Sequence, residues 1–437
     1  MKLSRRSFLA SSTALGALGL HPRAGAASGG VPTKLVVMFA DGGWDTTFSI
    51  DPKAPDGPAE GPWVDPTGQS RDDREIQRVI HGIPLQLNNH KRTAVTRFYE
   101  TFGDQCCVIN GIWTGSIVHQ PARIRMLTGT TRPSSPDFAT IVGVERGVSA
   151  DLPLASVDFS GLGYTGQFAS KTGRIGHSAQ LKALLDPGTA FPAPPNSGLT
   201  YPLFTPSERE EEAVERFLKK RVRRVRREVG GQDHNDQLLD DLLEAASRRR
   251  RLLQDADVLT EALSLGSKPS LALQAELAVD LLETELCHTV IIGEDGPLWD
   301  THDANVLQHE RYQLFYAAAS RLIEGLRLTG QLEHTLVVLM SEMTRTPKRN
   351  FKTGKDHWSH TSIVLVGAGV AGGRTVGQSN ALLESMPIDL ATGAPVPESE
   401  GGVLNKYDNV VAGILAHMGV DPEAYLPGVP PFTGATA

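Results

Sequence analysis

Residues 35–40, LVVMFA, form an unbroken apolar run that stops at Asp41, Gly42 and Gly43. A run closed by such a turn signal predicts a strand buried on both faces. Glycine permits the tight exit that the chain needs there. Open α/β sheets hold their ligands at the carboxyl ends of their strands. A carboxylate at that point is either a candidate ligand or the cap of the next helix. The run alone leaves both readings open.

The pattern recurs along the chain. Residues 105–110 run to Gly111, 286–292 to Gly293 and Glu294, and 335–340 to Ser341 and Glu342; residues 362–366 form another run, and 152–158 are a further candidate strand. Helical spacing is found at 93–102 and 310–328. This alternation predicts an α/β fold with a mostly parallel central sheet and helices on both faces. Residues 207–286 have a different texture, almost free of proline and dense in Glu, Arg, Leu and Ala. They read as a helical insertion of two or three helices, broken at Gly230-Gly231 and Gly266. The expected organisation is a targeting segment over 1–26, the first part of the α/β domain over 31–206, the insertion over 207–286 and the second part over 287–437. The basic run KKRVRRVRR at 219–227 is read as a solvated helix face paired with nearby acids, in preference to an anion-binding patch.

Charge is balanced, with 43 basic against 50 acidic residues and a net charge of −7. That gives no footprint for nucleic acid. No apolar run beyond the N-terminus is long enough to span a bilayer. The N-terminus itself carries Arg5-Arg6, Phe8-Leu9, an apolar stretch over 9–20 and Ala24-Gly25-Ala26. It resembles a twin-arginine export signal, which implies the twin-arginine export machinery as a partner and a periplasmic or otherwise exported protein. Ala10 stands where Lys is usual in that signal. The three cysteines, Cys106, Cys107 and Cys287, sit in apolar runs and offer no disulfide framework, so they read as small buried hydrophobes.

Three polar clusters follow or flank buried strands. They are Asp41 with Asp45, Asp300 with His302, and Glu342 with Asp356, His357 and His360. Carboxylates and imidazoles are the ligands of hard and borderline divalent cations. Strand ends of one parallel sheet meet at one edge, so clusters far apart in sequence can converge. The glycines of VGAGVAGG, residues 366–373, fit G-x-G-x-x-G, but no apolar helical face follows. They read as a turn and not as a dinucleotide site.

The strand ending in Asp41-Gly-Gly, WDTH at 299–302, VVLMSEMTRTP at 337–347, KDHWSH at 355–360 and VGAGVAGG together resemble the alkaline-phosphatase and sulfatase superfamily. Within it they are most similar to the twin-arginine-exported family called domain of unknown function 1501. The resemblance implies an alkaline-phosphatase-like fold and a metal-dependent hydrolase of phosphate or sulfate esters, acting on a small or polymer-borne anionic ester. It implies one or two divalent ions, zinc, manganese or calcium, with Asp41, Asp300, His302, Glu342, Asp356, His357 and His360 as ligands. HQPARIRMLTG, residues 119–129, falls in register with the sulfatase signature C-x-P-S-R followed by Leu-Thr-Gly. His119 stands at the place of the modified Cys and Ala122 at that of the Ser. The implied catalytic set is then His119, Arg123 and a hydroxyl from Ser116 or Thr114. The alternative is a catalytically degenerate member of the fold that serves as an exported binding or structural protein.

Overall fold

The computed structural model describes residues 31–63, 72, 74–147, 152–174, 207–229, 236, 239–240, 242–243, 268–294 and 296–436. The twin-arginine segment lies outside the described residues. Among them, no helix is long and apolar enough to cross a membrane.

Eight strands form one sheet: β1 Lys34–Phe39, β2 Cys106–Trp113, β3 Ser156–Asp158, β4 Thr172–Arg174, β5 Thr289–Gly293, β6 Thr335–Met340, β7 His360–Gly367 and β8 Arg374–Gly377. Their order is β8-β2-β7-β6-β1-β5-β3-β4. β1 pairs in parallel with β5 and β6, β3 with β4 and β5, and β2 with β8. β7 runs antiparallel to both of its neighbours, β2 and β6. This reversal matters for the site. The start of β7 comes to the edge where β1, β5 and β6 end.

The period-two alternation of a strand sends successive residues to opposite faces. In β1, Val36 and Met38 enter one core and Leu35, Val37 and Phe39 the other. The first core is closed by α1 Thr93–Phe102, α5 Leu271–Glu283 and α6 Gln308–Leu328. The second is closed by α2 His119–Thr128, α3 Phe138–Gly147 and α7 Tyr407–His417. Each fully buried aliphatic or aromatic side chain contributes about 1.5–3 kcal/mol over leaving it in water. The expected α/β architecture, a mostly parallel sheet with helices on both faces, is the one found.

Several local outcomes refine the sequence reading. Glu75–Ile80 and Ile83–Asn88 form a hairpin outside the main sheet, turned at His81 and Gly82, whose φ values are 48° and 78°. Of the stretch read as an insertion, α5 serves the core: Ala275, Ala278, Leu281 and Leu282 are wholly buried. α4, Glu208–Val229, is the exposed part. Its basic residues pair along the helix, Arg216 with Glu212 and Lys219 with Glu215, as the solvated-face reading expects. The glycine-rich segment is the turn between β7 and β8, with Gly367, Gly369 and Gly373 at positive φ. All three cysteines are buried and free.

Candidate metal centre

The chain leaving β1 turns at once. Gly42 adopts a φ of 114°, and a Cβ there would fall 2.6 Å from the Asp300 backbone N. The β1 turn and the segment carrying Asp300 are therefore pressed together. Beneath them lies an aromatic cluster. Trp44 and Trp299 pack edge to face at 6.4 Å, and Trp299 meets Tyr312 of α6 at 5.0 Å. Rings in this geometry add about 0.5–1.5 kcal/mol beyond their buried area. They fix both polar segments from below.

Arg345 pins the segments from within. Its Nε donates to Gly43 O at 2.8 Å, its Nη1 to Lys355 O at 3.2 Å, and its Nη2 to Gly42 O, to Trp299 O at 2.9 Å and to Asp300 Oδ1 at 2.8 Å. The side chain is wholly buried. Sequence reasoning assigned it no role. Its signal was a place inside the VVLMSEMTRTP motif, five residues past the buried strand, where an arginine could equally have been a surface residue. Asp45, the companion of Asp41 in sequence, is used structurally. Lys355 Nζ lies 2.8 Å from its Oδ2, Asn305 donates to the same oxygen, and Thr47 donates to Oδ1.

Three histidines converge on Asp300, and each is held from behind through Nδ1. His119 Nδ1 is 2.7 Å from Glu342 Oε1, His302 Nδ1 is 2.8 Å from Asp356 Oδ1, and His357 Nδ1 is 2.7 Å from Ile117 O. A carbonyl can only accept, so His357 Nδ1 carries a proton. The Nε2 atoms of His302 and His357 lie 3.1 and 3.2 Å from Asp300 Oδ1 and 2.9 Å from each other. His119 Nε2 lies 3.4 Å from Asp300 Oδ2 and is buried without an aligned hydrogen bond. The ligand atoms of His119, Asp300 and His357 all fall within 4.8 Å of one another.

These residues fit a divalent cation. Ligand atoms each about 2.0–2.2 Å from one zinc ion stand roughly 3.3–3.5 Å apart in a tetrahedral shell. Metal-binding histidines are also oriented through their far nitrogen by a carboxylate or a carbonyl, as all three are here. Protons are drawn to the same place. Burial pulls the His119 imidazole down, but Asp300 and Glu342 outweigh it and raise it to about 9. Burial pushes Asp300 up, and the His119 and His357 imidazoles and the Arg345 guanidinium beside it overcome that and hold it well below the usual carboxylate range.

The remaining sequence candidates occupy distinct places. Glu342 is wholly buried; it orients His119 and also accepts from Gly42 N at 2.9 Å and Ser341 Oγ at 3.0 Å. Asp356 is half-exposed behind His302 and accepts from Asn350 Nδ2 at 3.0 Å. Asp41 lies beside the cluster, where Arg123 Nη2 meets its Oδ1 at 2.9 Å. Burial and then Glu342 raise Asp41 to about 6, against the pull of Arg123. Two of the candidates stand apart from this set. His360 begins β7 with its ring near Trp358 and Ser359, and burial lowers it to about 4, with Glu384 as the charge acting on it. It is not among the residues whose ligand atoms come together. Ser116 turns its Oγ to Val118, closing the turn before α2, and Thr114 donates to Ser116 O. Local backbone satisfaction holds both hydroxyls.

Arg123 also lines an open cavity of about 660 Å³ together with Ser134, Tyr164, Thr165 and Gln167. A volume of this order suits a small-molecule ligand.

The fold and the centre define an α/β protein with a carboxylate–histidine cluster at one sheet edge. The chain belongs to the family described as protein of unknown function DUF1501, whose pattern matches residues 32–426. No curated protein matches it. Solved structures similar to it include a 2-O GAG sulfatase, 10% identical, with a TM-score of 0.37 and coverage of 93% of this chain and 76% of that one. Another is the lipoteichoic acid synthase LtaP from Listeria monocytogenes, 9% identical, with a TM-score of 0.40 and coverage of 93% and 76%. A third is the phosphonate monoester hydrolase of Agrobacterium radiobacter, 13% identical, with a TM-score of 0.32 and coverage of 92% and 78%. The likeness is distant, and the functional reading rests on this chain's own residues.

Proposed function

We propose that the chain is a metal-dependent hydrolase of phosphate or sulfate esters that acts after export by the twin-arginine route. The observation that carries this reading is the convergence of three Nδ1-anchored histidines on Asp300. Asp300, His119, His302 and His357 would hold the ion. A divalent ion there supplies Lewis-acid polarisation of an ester oxygen and lowers the pKa of bound water. Glu342 and Asp356 keep the imidazoles turned inward. Arg123 offers positive charge beside the cluster, and its Nε is buried without a partner, which suits an anionic ester oxygen. The cavity beside Arg123 has room for part of a substrate. Ser116 and Thr114 are committed to local turns, so water is the nucleophile in this account.

The same commitment supports a second reading, an exported binding protein that holds metal and anion without turnover. The discriminating experiment is a panel of alkyl and aryl phosphates and sulfates, with zinc, manganese or calcium supplied. The hydrolase reading expects turnover that falls by at least about 10²-fold in Asp300→Asn, the order lost when one charge-stabilising group is removed from an active site. Stoichiometric metal without hydrolysis of any ester supports the binding protein instead.

A further inference from the structure

The surface around the metal centre mixes exposed charged groups, Asp303, Lys352 and Asp356, with exposed apolar ones. Phe351 is 92% exposed, Val118 57%, Ile117 56% and Leu298 41%. Single exposed hydrophobics are ordinary on protein surfaces. These four are tied to the centre by the backbone. The carbonyl of Ile117 accepts from His357, Val118 directly precedes His119, and Leu298 lies two residues before Asp300. Phe351 follows Asn350, whose Nδ2 donates to His302 O at 2.9 Å and Asp356 Oδ1 at 3.0 Å.

Phe351 carries the argument. Its loop is closed on itself, with Asn350 N donating to Gly354 O at 2.9 Å and Thr353 N to Asn350 O at 3.1 Å. Asn350 Oδ1 accepts from Lys352 N and Gly354 N. Thr353 sits at a φ of 61°, a costly value for a β-branched residue. The loop also rests on the histidine segment so closely that a Cβ on Gly354 would fall 1.8 Å from His302 O. The chain therefore tolerates backbone strain in a loop that rests on the histidine segment and leaves the Phe351 ring exposed to solvent. The other flank differs. The cavity beside Arg123 is lined by Ser134, Thr165 and Gln167 together with Leu162 and Tyr164, on the loops that follow α2 and β3. In strand order, β3 lies across β1 and β5 from β7 and β2.

We propose that the rim of Ile117, Val118, Leu298 and Phe351 receives the hydrocarbon part of an anionic ester whose charged group sits at the histidine cluster. This rests on the hydrolase reading for the ester and adds the class of alcohol, apolar and not hydroxylated. Lys352, next to Phe351, pairs with Asp303 Oδ1 at 2.8 Å, and Lys348 stands exposed three residues before Phe351, a positive charge that suits an anionic head joined to an apolar tail.

The test is calorimetric binding to the full chain in zinc buffer. The ligands are methyl, butyl and octyl phosphate and a phosphate bearing a glycol-ether chain of octyl length. Affinity should rise about two- to fourfold for each methylene that the rim covers. Octyl phosphate should outbind the glycol ether, and Phe351→Ala should weaken octyl about tenfold, far more than methyl, with Phe351→Leu restoring part. Equal binding of octyl and glycol chains, a chain-length preference that survives Phe351→Ala, or no binding of any ester overturns the proposal. So does a change from dimer to monomer in Phe351→Ala with no effect of chain length, which would make the rim an interface between copies. Chain-length-dependent binding without hydrolysis of any ester sustains the proposal while the hydrolase reading fails. Hydrolysis without chain-length dependence does the reverse.

Discussion

At the scale of single residues, Arg345 and His309 show how burial decides what a side chain does. Arg345 satisfies four backbone carbonyls and one carboxylate oxygen. Replacing it with Met leaves those acceptors buried and unpaired, which costs about 3–5 kcal/mol. Chemical denaturation of Arg345→Met should show that loss; an unchanged midpoint would mean that the turn carbonyls find other donors. His309 sits against Phe48, and its Nδ1 takes a hydrogen bond from Arg92 at 2.7 Å. Burial, and then Arg92, push it from its ordinary 6.5 down to about 2. The folded state thus keeps it neutral, while the unfolded ring protonates near 6.5. Its contribution is complete above pH 6.5 and is lost as pH falls toward 2, by about 1.4 kcal/mol per unit. Between about pH 7.5 and about pH 5, His309→Gln should therefore lose roughly 2 kcal/mol less stability than the unsubstituted chain. Parallel acid profiles for the two proteins would remove His309 from the account.

At the scale of elements, the turn after β1 carries the most. Gly42 combines positive φ with contact to the Asp300 backbone. Gly42→Ala should destabilise by about 2–4 kcal/mol and weaken metal binding as well, because the clash pushes Asp300 away from His302 and His357. A variant that loses stability but keeps its metal affinity would separate the turn from the centre. The strands that end at this edge were legible in the sequence, because buried strands leave unbroken apolar runs closed by Asp, Glu or Gly. α1 and most of α6 were legible from their spacing. The hairpin over 75–88 was not, since Ile76 and Val79 lie exposed and no period-two apolar face marks Glu75–Ile80 as a strand. α2 was not read as a helix because its interest lay in a motif. The candidate site was legible as three polar clusters, and the structure brings members of all three together. The division between inward-facing groups and their orienting partners, Glu342 and Asp356, was not legible. That depends on which oxygen already accepts a hydrogen bond, and spacing does not record it. The displacement of His360 from the set was hidden for a similar reason: its position in the pleat depends on where β7 begins.

At the scale of the whole molecule, the sheet is the device that assembles the centre. Residues 119, 300–302, 342 and 356–357 come from four separate stretches, and the antiparallel β7 is what brings the last of them to the shared edge. A ligand that joins four stretches of chain binds the folded state alone, so metal should stabilise the whole fold, by about 2.7 kcal/mol at a free concentration one hundred times Kd. Thermal unfolding of metal-depleted protein should move up by a few degrees with zinc and return with chelator. The central claim is that Asp300 and the three Nδ1-anchored histidines hold a divalent ion, and elemental analysis of the purified full chain tests it most directly. The account predicts close to stoichiometric metal in the unsubstituted protein, lost in His357→Ala and Asp300→Asn and reduced about 10–100-fold in affinity in Glu342→Gln, which removes the carboxylate charge behind His119. An unsubstituted protein that stays folded yet retains no divalent metal, and takes none up when zinc, manganese or calcium is supplied, would contradict it.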